Sequence, residues 1–385
     1  VAFDDLAPTV KILVEGQELN ADVTRAITRV EVDLTRDIAD MIKLTVVNPA
    51  QDILGDGYGD SFVFLDSKAF QPGNRVEVSM GYGDDVSFIA AGIITKWLPS
   101  FPRSGVPMLQ VAALDASHRL MDSETAGQAE PFDNFDLDTI VLSILTKHDI
   151  VAGEVTPLPG TGVGRTITKK RGMSDYKFVK GLANLAGHEF KIRFNPTTGQ
   201  WEGFWRPPVA EQERQFTFRY NAGEESTLLK FNAQWGLRDQ PTAVTLLYFD
   251  DLTRTWEEVT VEDAKEGEKL RFEGGTDRVL ESINDASAVR ISAGGVAVEV
   301  ITERKFKSLS EALQFAERWL VARKNSFLTG RGALVGLEEL RAGDVHVIEG
   351  VGAQLTGEWE FTTIRHVFDQ AAGYTTEFFA NKVVS

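Results

Sequence analysis

Residues 70–121 read FQPGNRVEVSMGYGDDVSFIAAGIITKWLPSFPRSGVPMLQVAALDASHRLM, and the fold is decided there. Val76 and Val78 alternate with polar neighbours, and Gly81, Gly83 and the Asp84-Asp85 pair break the alternation where a hairpin turns. A second strand spans Phe88 to Leu98, a turn rich in Pro, Ser and Gly covers Pro99 to Pro107, and a third strand runs from Met108 to Leu114. The stretch predicts an antiparallel meander.

The plan recurs in residues 340–381, LRAGDVHVIEGVGAQLTGEWEFTTIRHVFDQAAGYTTEFFAN. Pro72-Gly73 matches Ala342-Gly343 at an offset of 270, and Thr95-Lys96-Trp97 matches Ile364-Arg365-His366 at an offset of 269. Meanders share a general look, but spacing kept to one residue favours internal duplication.

At about 150 residues per domain, a chain of 385 residues predicts two or three domains with packed cores. No apolar run reaches the roughly 20 residues of a membrane span, and the N-terminus lacks the plan of a signal peptide, so a soluble, non-secreted chain is expected. With no cysteine there is neither a disulfide framework nor a thiolate metal cluster, which fits assembly in a reducing cytoplasm. The net charge is −17, and the only dense basic cluster is Arg165, Lys169, Lys170 and Arg171. That argues against tight nucleic-acid binding, although an acidic wall lets a duplex slide past without sticking.

Along the chain, strands are predicted at Thr9 to Val14, Ile27 to Thr35 and Met41 to Val47. Asn48 to Ala69 is a long connection, read either as an extended arm that orders against a neighbouring subunit or as a surface loop. Asp136 stands as N-cap before the stripe Leu137, Ile140, Val141, Ile144 and Leu145 of a helix ending near His148. The GTGVG run at 160–164 lacks the Lys-Ser/Thr pair of a phosphate loop and reads as a flexible connector. A second helix runs from Ser174 to Gly187, followed by a hairpin of His188 to Asn195 and Gln200 to Arg206. Strands then follow at Phe216 to Tyr220, Ser226 to Gln234, Ala243 to Asp250 and Thr255 to Thr260. Glu262 to Asp285 reads as an exposed insert. Ser308 and Glu311 form a capping box before an apolar face of Leu309, Ala312, Leu313, Ala316 and Leu320.

Signals for catalysis are thin. His118, His148, His188, His346 and His366 are scattered, with no His-x-x-x-His, no Gly-x-Ser-x-Gly elbow and no cysteine nucleophile. Asp133, Asp136 and Asp138 suit a first helical turn better than a metal site or a carboxylate pair. Trp201 and Trp205 share one face of a strand, where core packing is favoured over a sugar-gripping platform. No catalytic, cofactor-binding or metal residue is singled out, and no cofactor is expected.

The run from Gly81 to Met121, together with KKRGMSDYKFVKGLANLAGHEFKIRF at 169–194 and the closing stretch 340–380, resembles the phage late control protein D family. These are hub proteins of contractile tails, related to the N-terminal part of type VI secretion spike proteins. The resemblance covers roughly residues 10 to 380; its single motifs are loose, and their order and spacing carry it.

The resemblance implies a β-rich α+β fold with two tube-like antiparallel β-barrel domains from an internal duplication and an α+β domain inserted between them. The expected divisions are 1–117 for the first barrel, 118–215 for the α+β domain and 216–385 for the second barrel. The last carries an irregular insert near 262–302 and a helix near 309–325. It implies a non-enzymatic baseplate hub, a homotrimer whose six similar barrels surround a channel for DNA or cargo. Such a hub adapts a hexameric tail tube to a trimeric spike and also meets other baseplate or wedge proteins. The expected location is a virion tail baseplate or an extracellular injection particle, assembled in the bacterial cytoplasm. Related spike proteins carry a fused repeat, which is absent before Ser385, so the spike is expected to be a separate chain. The alternatives are a tail-associated peptidoglycan or glycan hydrolase and a carbohydrate-binding tail component.

Overall fold

The computed structural model describes residues 7–383 except 37, 52–60, 67, 123–128, 209–214, 224–225, 236–242, 251–253, 263–271, 274–289, 292–296, 307–308, 310–311, 314 and 317–327. The chain opens with strands β1 (Pro8–Val14) and β2 (Gln17–Glu18) and helix α1 (Ala21–Ala26), capped by the Asn20 side chain, which accepts from the Val23 amide at 2.9 Å. Strand β3 (Ile27–Thr35) buries Val30, Val32 and Leu34 and, on its other face, Asp33 and Thr35, whereas β4 (Met41–Val47) buries Ile42, Leu44 and Val46, the alternation expected of a strand with one face in the core.

The long connection begins and ends in a small hairpin of β5 (Ala50–Gln51) and β6 (Ser61–Phe62). The Asn48 side chain accepts from the Phe64 amide at 2.9 Å, so both ends are tied down; residues 52–60, the middle of the expected arm, lie outside the described residues. The predicted meander is present as β7 (Arg75–Tyr82), β8 (Asp85–Ser100) and β9 (Met108–Leu114), all antiparallel.

Helix α2 (Ser117–Met121) leads to β10 (Glu130–Asp133), α3 (Leu137–Lys147), β11 (Val151–Val155), β12 (Thr166–Lys169), α4 (Asp175–Ala186), β13 (Glu189–Asn195) and β14 (Gln200–Arg206). The predicted stripe of α3 is buried whole, and it joins Phe178, Val179 and Leu182 of α4 and Phe190, Ile192, Trp201 and Trp205 of the hairpin in one core. That core continues onto Ala91 and Ile93 of β8. Asp136 holds the N-cap position, but its side chain does not bond the helix. Thr161 does so instead, its hydroxyl accepting from the Leu137 amide at 3.1 Å.

The 160–164 run is therefore a brace and not a flexible connector. Asp136 Oδ1 accepts from the Gly162 amide at 2.7 Å, and a Cβ at Gly162 would lie 2.1 Å from the Phe135 carbonyl, so only glycine fits.

Strands β15 (Thr217–Arg219) and β16 (Leu228–Trp235) follow. The chain divides into two units, one of Val1–Phe231, Arg331–Thr356 and Glu360–Ala380, the other of Asn232–Gly330, Gly357–Trp359 and Asn381–Ser385. The second unit carries a five-stranded sheet of β17 (Ala243–Asp250), β18 (Thr255–Glu262), β19 (Phe272–Glu273), β20 (Arg290–Ile291) and β21 (Ala297–Phe306). The region near 262–302 is thus not wholly irregular, because β21 pairs in parallel with β17. Of the predicted helix, Ala312, Phe315 and Ala316 are helical and buried, whereas Leu309 is exposed. The capping pair Ser308 and Glu311 and residues 317–327 lie outside the described residues.

The last strands are β22 (Leu328–Val335), β23 (Val345–Glu349), β24 (Gly357–Asp369) and β25 (Gly373–Lys382). One 13-stranded sheet runs β16-β22-β25-β24-β3-β4-β9-β8-β7-β1-β2, with β23 pairing β24 and β15. The two closed barrels expected from the resemblance are not found among the described residues. The reason is that β3 has two edges, of which β4 takes one and β24 the other in antiparallel register from Thr363↔Thr35 to Asp369↔Arg29.

The order β4-β9-β8-β7-β1 is nonetheless echoed by β22-β25-β24-β23-β15. The echo has one flaw, since β1 meets β7 antiparallel while β15 meets β23 in parallel.

Candidate functional site

The repeated turn is the best-defined geometry in the sheet. Gly73 has φ of 96°, and its amide donates to the Ile94 carbonyl at 2.8 Å, while the Ile94 amide returns a bond to the Asn74 carbonyl at 2.9 Å. Gly343 has φ of 105°, and its amide donates to the Phe361 carbonyl at 2.7 Å, while the Phe361 amide returns a bond to the Asp344 carbonyl at 2.8 Å. Both positions need the backbone freedom of glycine, and each turn clamps the middle of a long strand, β8 or β24.

The seam between the meanders is ionic as well as hydrogen-bonded. Arg29 pairs with Asp369 at 3.2 Å, Arg365 pairs with Asp33, and Arg36 pairs with Glu360. The guanidiniums of Arg29 and Arg365 are held above their usual range, foremost by side-chain hydrogen bonds to Glu31 and Asp33 respectively.

Polar side chains buried in the core are committed to structure. Asp175 accepts from Lys147 Nζ at 2.9 Å, meets His148 Nε2 at 2.8 Å and pairs with Lys169, which is 1% exposed. Lys169 thus leaves the basic cluster seen in the sequence, whereas Lys170 and Arg171 stay exposed. Lys191 Nζ reaches Asp40 Oδ1 at 2.6 Å and the Thr35 carbonyl. Asp115 accepts from the Asp40 amide at 2.8 Å and from the Ser117 amide at 2.7 Å. Burial, then the Asp40 charge, push the Asp115 carboxyl up to about 6, against the pull of Lys191. These groups line a cavity of about 120 Å³ together with Phe88, Trp201 and Arg341. Each carboxylate is already bonded to backbone or ammonium, so the cluster is a tether between β13 and the strands beneath it.

The histidines are placed apart. His366 is fully buried, its Nδ1 2.7 Å from the Tyr374 hydroxyl and its Nε2 3.4 Å from the Leu340 carbonyl, and burial depresses it to about 3. His346 lies edge-on to Phe361 at 4.9 Å and is depressed by burial to about 4. His188 stands against Trp205, and His118 Nδ1 meets the Asp115 carbonyl at 3.0 Å. Asp133 accepts from the Thr166 hydroxyl of β12 at 2.6 Å and Asp138 from the Leu158 amide at 3.1 Å, so Asp133 ties β10 to β12 while Asp136 and Asp138 tie the start of α3 to the connection between β11 and β12, and the three do not converge. Trp201 and Trp205 are buried in the core and offer no exposed aromatic platform. Among the described residues no group of His, Asp and Glu could hold a metal ion, and no helix is long and apolar enough to cross a membrane.

The surface holds exposed strand edges. Thr95, Lys96, Leu98, Pro99 and Ser100 of β8 are exposed, as are Leu229 and Lys230 of β16. Sequence reading found these strands but not that their edges stay open, since alternation reports faces and not pairing.

Solved structures share this fold at low identity. A tail protein from Neisseria meningitidis MC58 is 13% identical, with 98% of this chain and 96% of that one covered and a TM-score of 0.62. The 43 kDa tail protein of prophage MuSo2 from Shewanella oneidensis is 12% identical, with 97% and 98% covered and a TM-score of 0.65. An Escherichia coli component of the type VI secretion system, described as similar to bacteriophage T4 tail proteins gp27 and gp5, is 12% identical, with 97% and 77% covered and a TM-score of 0.56. No curated protein matches the sequence. A model of the family described as the Alg8 N-terminal domain matches residues 4–370, and the chain belongs to that family.

Proposed function

We propose that the protein is a structural hub in the baseplate of a phage tail or a phage-tail-like injection particle. Its two β modules, near 1–117 and 216–385, descend from one ancestral unit, with the α+β region 118–215 inserted between them. Three copies then present six similar modules around a channel, matching a hexameric tube on one face and a trimeric spike on the other. The observation that carries this reading is the paired turn: Gly73 with Ile94 and Gly343 with Phe361 make the same two bonds within strands of echoed order. The fold shared with tail proteins and a type VI secretion component supports it. The charge of −17 suits a channel that DNA or cargo crosses without adhering.

The hub does no chemistry of its own in this reading; the buried Trp201 and Trp205 and the bonded carboxylates offer a glycan-binding or hydrolytic alternative no support. Native mass spectrometry with and without the cognate tube protein tests the proposal. A trimer is expected, and a monomer in both conditions would refute it.

A further inference from the structure

The two meanders differ at one edge. The late part of β24 has strands on both sides, β25 and β3. Its counterpart β8 pairs with β7 only as far as Ile93 and with β9 from there to Ser100. From Thr95 to Ser100 the edge away from β9 meets no strand among the described residues. The place that β3 holds beside β4 is held beside β22 by β16, and β16 ends the sheet with no strand beyond it among the described residues. So the strand that should cover β8, by analogy with β3 on β24, exists in the sequence but has its own outer edge open.

The side chains agree. Leu98 on β8 is 43% exposed and Leu229 on β16 is 54% exposed, large apolar groups standing on open edges. Open edges of this kind template strand addition, and proteins that stay monomeric blunt them. Pro99 lacks an amide N–H and limits the bonds at the far end of β8, leaving Thr95 to Leu98 as the usable length.

We propose that β16 of a second copy of this chain pairs with the Thr95–Leu98 edge of β8, repeating between copies the seam that β3 makes with β24 within one copy. The proposal rests on the two-module reading above and names the surface through which its ring closes. Each copy offers one edge of each kind, so the contact is head-to-tail and leaves no open edge only when the ring closes. The two seams differ in character. The internal one carries the crossed pairs of Arg29 with Asp369 and Arg365 with Asp33. Neither β16 nor Thr95–Ser100 contains an acidic residue, so the seam between copies is held by backbone bonds and apolar burial and should resist salt.

The chain has no cysteine, which makes the test direct. Leu98→Cys and Leu229→Cys are made in separate preparations, both at exposed positions that leave the fold intact, which an unchanged melting curve verifies. The two are mixed, annealed and treated with a short bismaleimide. The proposal expects covalent dimers from the mixture and none from either preparation alone. Cross-linking within a single preparation would mean a symmetric contact and overturn the head-to-tail seam. Trimers by native mass spectrometry with no cross-link in the mixture would overturn this seam while leaving the hub reading standing. Monomers throughout, with tube protein present, would sink both.

Discussion

Trp97 and His366 make the same approach in the two meanders: the Trp97 indole nitrogen donates to the Phe70 carbonyl, and His366 Nε2 meets the Leu340 carbonyl at 3.4 Å. Phe70 and Leu340 each stand three residues before a turn glycine, Gly73 or Gly343. A ring nitrogen thus pins the entry to each turn from the strand that the glycine clamps, although one ring is an indole and the other an imidazole.

If the two turns are equivalent, they should respond alike. A Cβ at either Gly73 or Gly343 meets no atom within 4 Å, so alanine there costs only the positive-φ strain, about 1–2 kcal/mol in each case. Urea unfolding of G73A and G343A checks this, and a loss confined to one variant would separate the turns.

Asp175→Asn should be among the most damaging single changes. It leaves the buried Lys169 ammonium with only the part-exposed Glu130 carboxylate, 3.4 Å away, as counter-charge, a loss of about 3 kcal/mol. Adding Lys169→Met to that background should recover part of the loss, measured by chemical denaturation of the single and double variants.

The buried imidazoles make the fold acid-sensitive. His346 and His366 are depressed from 6.5 to about 4 and about 3, so below pH 6.5 the unfolded chain takes up protons that the folded one refuses. Stability therefore falls as the pH drops from 6.5 towards 4. His346→Leu removes one of these groups. It should cost about 1 kcal/mol at neutral pH through the bond lost from the Phe216 amide, yet flatten the acid side of the stability profile.

Asp115 works in the opposite sense. Its folded value, about 6, lies above the ordinary 3.8, so it favours the folded state most at low pH and progressively less as the pH rises through 6. Lys191→Met removes the charge that restrains this shift and strands Asp40 as well. With the Asp115 carboxyl then held higher than about 6, the variant should be weakest above neutral pH and already regain stability as the pH falls through 6, read from urea midpoints at pH 5 and pH 8.

Local pattern made the strands legible. Met41–Val47, Met108–Leu114 and Gln200–Arg206 are readable from alternation because each buries one face, whereas Ile27–Thr35 buries Val32, Asp33, Leu34 and Thr35 in succession and is readable from its β-branched residues. The match of Thr95-Lys96-Trp97 to Ile364-Arg365-His366 is legible only to within a residue, since Trp97 stands 24 residues after Gly73 and His366 23 after Gly343, each with its ring nitrogen at the turn entry.

Pairings between distant segments were not legible. The bond between Arg365 and Asp33 joins residues 332 apart, and nothing near either one encodes the other. The Thr161 cap on α3 was hidden for the same reason, the acceptor lying 24 residues from the helix it serves. Lys169 is not legible as a core residue because a lysine in a basic run is ordinarily solvated, and its pairing with Asp175 and Glu130 makes burial tolerable.

End-on electron-microscopy averages of the protein assembled with its tube protein test the central claim most directly. The account predicts a ring with an open bore and six similar densities, three unlike pairs in alternation. A particle without a bore, or a threefold ring in which the two β modules of each chain take unrelated positions, would contradict it.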